Sequence, residues 1–102
     1  MYIGTLIKAP SELAHMGVDY SRWLGSSKLK SVQASIARDV SDLPDTLPAQ
    51  LWAVFIAPDG KSIHVFVERG TDGSDYSVVL VATAVSRLVR EDDLVVRLEA
   101  TV

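Results

Sequence analysis

The 102-residue sequence contains no cysteine. That absence excludes disulfides, thiolate nucleophiles and zinc–thiolate sites together, and it suits a chain that folds in a reducing cytoplasm. Histidine is scarce: His15 and His64 stand far apart, neither with a ligand partner at useful spacing, and both read as surface side chains. Basic charge is not in excess either, since ten Lys and Arg stand against thirteen Asp and Glu for a net charge of −3. With no basic stripe, nucleic acid is not expected as a direct partner. No apolar run approaches the roughly 18 residues of a membrane span, so no membrane partner is expected. The start, Met1 to Lys8, places no charged segment before its apolar residues and does not read as a signal peptide. What is left is ordinary globular composition, 48% hydrophobic and 23% charged, in a chain of single-domain length.

The most informative stretch runs from Gly70 to Ala84. Gly70 and Gly73 bracket an acidic turn where sharp backbone angles come without steric penalty. The run that follows, from Ser77 through Val78, Val79 and Val81, is too rich in β-branched residues to favour helix and reads as a central strand. Asp72, Ser74, Tyr76 and Val78 fall at alternate positions. This is the spacing of the tyrosine corner in immunoglobulin-like sandwiches, where a phenol hydroxyl bonds back to upstream backbone; an ordinary hairpin turn is the simpler alternative.

Residues 1–17 read as an N-terminal arm or first strand, closed by Pro10, with Ser11 to Met16 either one helical turn or an extended connection. The sandwich proper is expected over 18–102. Val18 to Leu24 reads as a bent strand, and Leu29 to Arg38 alternates cleanly, with Val32, Ala34 and Ile36 on one side. Residues 39–50 form a loop with two prolines. Gln50 to Ala57 and Ser62 to Glu68 are strands joined by a Pro58-Asp59-Gly60-Lys61 turn. Val85 to Asp93 reads as a polar hairpin connection and Leu94 to Val102 as the closing strand. Six or seven short strands with no long helix give an all-β fold, an immunoglobulin-like antiparallel β-sandwich.

Chemistry is thin. Asp92 and Asp93 are adjacent and so point to opposite faces of a strand, which spoils them as a dyad. The Asp72–Asp75 turn lacks the ligand count of a calcium loop, and no serine has a base and oriented acid beside it. No catalytic residue, metal ligand or cofactor is expected. Two features point to contact instead. Phe66, Val79, Val81 and Val95 sit opposite the apolar core sets of their strands, which makes them candidate interface residues if they are not simply buried on both faces. Trp23 and Trp52 offer either core packing or a sugar-stacking platform.

Two motifs carry a family resemblance. Lys8 and Pro10 precede Asp19-Tyr20-Ser21-Arg22-Trp23-Leu24-Gly25, and Gly70-Thr71-Asp72-Gly73 precedes Tyr76-Ser77-Val78, with Arg87 and Arg90-Glu91 later. Together they resemble small phage and prophage fiber–tail adaptor proteins of the virion. The chain departs from the family's usual pattern at Ala34–Ser35, where a tryptophan is usual, and at Ser86, where a glycine is. The resemblance implies Asp19, Trp23, Asp72, Gly73 and Tyr76 as structural motif residues. It also implies a non-enzymatic place in the neck or tail, folding in the host cytoplasm, several copies in a symmetric assembly, and tail, neck or fiber proteins as partners. A carbohydrate-binding sandwich and a capsid-decorating protein are the rival expectations.

Overall fold

β-Branched residues at alternate positions favour extended pairing over helix. The computed structural model describes residues 1–100 and forms seven strands among them. In chain order these are β1 (Tyr2–Lys8), β2 (Ala14–Asp19), β3 (Leu29–Arg38), β4 (Gln50–Ile56), β5 (Ser62–Glu68), β6 (Asp75–Ala84) and β7 (Val89–Leu98). One short helix, α1 (Ser21–Leu24), follows β2. Two sheets face each other: four strands in the order β1-β7-β6-β3, and three in the order β2-β5-β4.

The all-β sandwich expected from the sequence is present, but its larger sheet is mixed. β1 runs parallel to β7, while every other pairing is antiparallel. β1 and β7 stand at opposite ends of the described chain, so no hairpin constrains them to run antiparallel.

Alternation fills the space between the sheets. Ile63, Val65 and Val67 of β5 are fully buried, as are Val78, Leu80 and Ala82 of β6 and Leu94, Val96 and Leu98 of β7. Each such large apolar side chain contributes about 1.5–3 kcal/mol when withdrawn from water.

Two local expectations are corrected. Residues 14–19 are a strand along β5, and Trp23 lies on α1, not on a bent strand. Asp19 explains the change, because its Oδ1 accepts the Ser21 N–H at 2.9 Å and turns the chain into the helix. The last connection is shorter than expected, and β7 begins at Val89 within the charged run. Arg90 and Asp92 point inward opposite Ala82 and Leu80, and pair with each other at 2.8 Å, so the polar residues continue the strand. β7 ends at Leu98, Ala100 lies exposed beyond it, and the expected end at Val102 falls outside the described residues.

Candidate functional site

The turn from Glu68 into β6 is held by four devices. The Tyr76 hydroxyl accepts the Thr71 N–H at 3.0 Å, a bond back to upstream backbone. It donates to Asp45 Oδ1 at 2.6 Å, and the same oxygen accepts from Thr71 Oγ1 at 2.7 Å. Those hydrogen bonds, from Tyr76 first and then Thr71, hold the Asp45 carboxyl below the usual carboxylate range. Lys8 is the second device. Its buried ammonium donates to the carbonyls of Ala9 at 2.8 Å, Pro10 at 3.4 Å and Arg69, which ties the end of β1 to this turn. Burial lowers its pKa, against the opposing pull of the Glu12 charge. Gly70 is the third: its φ is +120°, and a Cβ there would stand 2.6 Å from Leu98 Cγ. Asp72 and Gly73 complete the set, with Asp72 Oδ1 accepting the Ala100 N–H and the Gly73 N–H donating to the Leu98 carbonyl, both at 2.9 Å.

The Asp19–Trp23 motif builds one wall of a cavity of about 480 Å³. Tyr20 is buried, and Trp23 meets it edge-on at 5.9 Å between ring centroids. Asp92 is wholly buried and bonded through Oδ2 to Arg90 Nε, whose guanidinium lies 6.0 Å over the Tyr20 ring. The Tyr20 hydroxyl and Asp92 Oδ1 make no hydrogen bond among the described residues. Burial, and then the neighbouring Asp92 charge, push the Tyr20 phenol well above its usual range. Half-buried against Tyr20, Trp23 is a wall of this cavity and not an exposed platform.

The four candidate interface residues separate onto two surfaces. Val79, Val81 and Val95 lie half-buried on the outer face of the four-stranded sheet, where Gln33, Ala34 and Ser35 of β3 leave a hollow of about 190 Å³ beside the first two. Phe66 lies on the outer face of the other sheet, on the far side of the sandwich.

Phe66 has aromatic company there that strand-by-strand reading did not show. Pairing sets Gly17, His64 and Phe55 in one row across β2, β5 and β4, and His15 beside Phe66 in the next, where Phe66 pairs with Ala53 and Trp52 meets it edge-on at 5.6 Å. A bulge between Leu51 and Ala53 brings Trp52 to this surface. His15 stacks on Phe66 at 4.6 Å, and Phe55 stacks on His64 at 5.2 Å and on Phe66 at 5.9 Å. His15 Nε2 and His64 Nδ1 approach to 2.8 Å, a hydrogen bond between residues that sequence spacing kept apart. Trp52 and Phe55 remain 57% and 47% exposed, so the rows open to solvent.

Among the described residues, no group of three or more His, Cys, Asp or Glu side chains is placed to hold a metal ion. What the arrangement offers is contact: an aromatic face on one side, a valine face with a hollow on the other. A comparison with curated proteins found no match. A family model described as "podophage GP4 fiber-tail adaptor protein gp77" matches residues 8–97, from the buried Lys8 to the last turn of alternation in β7. The chain belongs to this family of podophage fiber-tail adaptor proteins.

Proposed function

We propose that the protein joins tail or neck components to fibers in a podophage particle, present in several copies and acting through protein–protein contact alone. Membership of the family gives it a structural role in the phage tail. The observation that supports the finer reading is the placement of outward-facing apolar side chains on two opposite outer faces, half-buried valines on one and the partly exposed Trp52 and Phe55 on the other. A connector must hold two neighbours at once, and soluble monomers seldom expose large contiguous apolar patches without a partner. Contacts repeated around a symmetric ring gain strength through multivalency, so no single copy needs a large interface. The chain folds in the host cytoplasm and joins the particle as a folded unit, with no nucleic acid, membrane or catalytic step in its role.

Particles assembled with single-face variants test this. Val79→Lys places an ammonium opposite Asp93, and Phe55→Ser removes an exposed ring, so neither disturbs the core. Each should leave thermal stability within about 1 kcal/mol. We expect particles of each variant to lose a different neighbour, with the fiber missing from one set. Fully infectious, normally fibered particles from both would contradict the two-faced reading.

A further inference from the structure

We infer that the aromatic face of the three-stranded sheet docks a protein segment carrying apolar side chains between lysine or arginine residues. The inference deepens the adaptor reading and rests on it for the existence of a protein neighbour.

Exposed apolar residues scattered singly are normal, but Trp52, Phe55 and Phe66 are contiguous, and aromatic clusters are where contact energy concentrates. The flanking charges define the occupant. Beyond the His15 row, Glu68 lies on β5 beside Gln50; beyond the Gly17 row, Asp19 lies on β2 beside Ser62. Three two-residue steps separate these acids, about 20 Å along the strands. Between them the face carries no Asp, Glu, Lys or Arg. Asp19 stays ionised because the Ser21 N–H bond lowers its pKa.

A second copy fits poorly. Its valine face carries Asp75, Glu91 and Asp93 against Arg97, and its aromatic face carries the same two acids, so either would set acid against acid. Glycan stacking also fits poorly. Sugars need open ring faces, whereas His15, His64, Phe55 and Phe66 stack on one another and cover faces a sugar would need.

The imidazole pair belongs to this face, its hydrogen bond holding the two rings side by side between the acids. The charged groups on this face are Asp19 from β2 and Glu68 from β5, while β4 brings only Gln50, Trp52 and Phe55.

The test uses the full chain with two synthetic peptides of alternating leucine and threonine, one flanked by paired lysines and the other by paired glutamates. Calorimetric titration reads binding. The lysine peptide should bind about tenfold more tightly than its twin. Phe55→Ser and, independently, Trp52→Ser should abolish binding, and Val79→Lys should not. Equal affinity for the two peptides overturns the inference, as does binding that survives both ring deletions. Self-association removed by Phe55→Ser, or tryptophan quenching by soluble oligosaccharides in place of the peptide, also overturns it. The peptides need no particle, so failure here is distinct from failure of the adaptor role.

Discussion

Tyr76 uses one oxygen twice, accepting from the Thr71 backbone and donating to Asp45. Tyr76→Phe removes both bonds and little packing, so it should destabilise the protein by about 1–2 kcal/mol in a urea melt. An unchanged midpoint would show that the hydroxyl contributes nothing to the corner. Asp45 gives the clasp a pH dependence. Its folded pKa is depressed, so the contribution is complete above the ordinary carboxylate range near pH ~4 and is lost as pH falls through the lowered folded value. The amide signals of Leu47 and Thr71 should move together over that window in NMR spectra and stay still in Asp45→Asn; the same transition in the variant would assign it elsewhere. Gly70→Ala forces a Cβ into Leu98 at a positive φ. A loss of about 3 kcal/mol or more is expected, and a variant as stable as the parent would mean the turn relaxes freely. The spacing of Tyr76 made the corner legible in the sequence. Asp45 was not legible, because three aspartates share residues 39–48 and only the fold selects one of them.

At the scale of elements, strands with one apolar and one polar side were readable to their ends. β3 and β5 occupy the residues that alternation marks out, because each presents one face to the core. The failures came where another element supplied the reason for the conformation. β2 is a strand because β5 pairs with it, although His15, Gly17 and Asp19 argue weakly for one. The charged start of β7 is a strand because Arg90 and Asp92 neutralise each other beneath Tyr20. Alternation placed Phe66 on an outer surface, but its neighbours come from β2 and β4, and no single strand shows a cross-sheet row. The loop at 39–49 is exposed along nearly all its length. It is fixed at Asp45 and at Arg38, whose guanidinium reaches Ser41, the Leu43 carbonyl and Ser74.

At the scale of the molecule, the Cα framework measures 44 × 23 × 18 Å. Two facing sheets in so thin a body put the valine face and the aromatic face back to back. Under the proposed role, force between neighbours on either side would pass through a core of packed Val, Leu and Ile and across sheet hydrogen bonds, not through a flexible linker. That geometry suits a connector whose chemistry is contact, as membership of the adaptor family implies. Imaging of virions that carry this protein tests the central claim most directly. A ring of small sandwiches between tail and fibers, with one outer sheet face against each neighbour, is the result expected. Density on the capsid shell, or particles that lack the chain altogether, would contradict it.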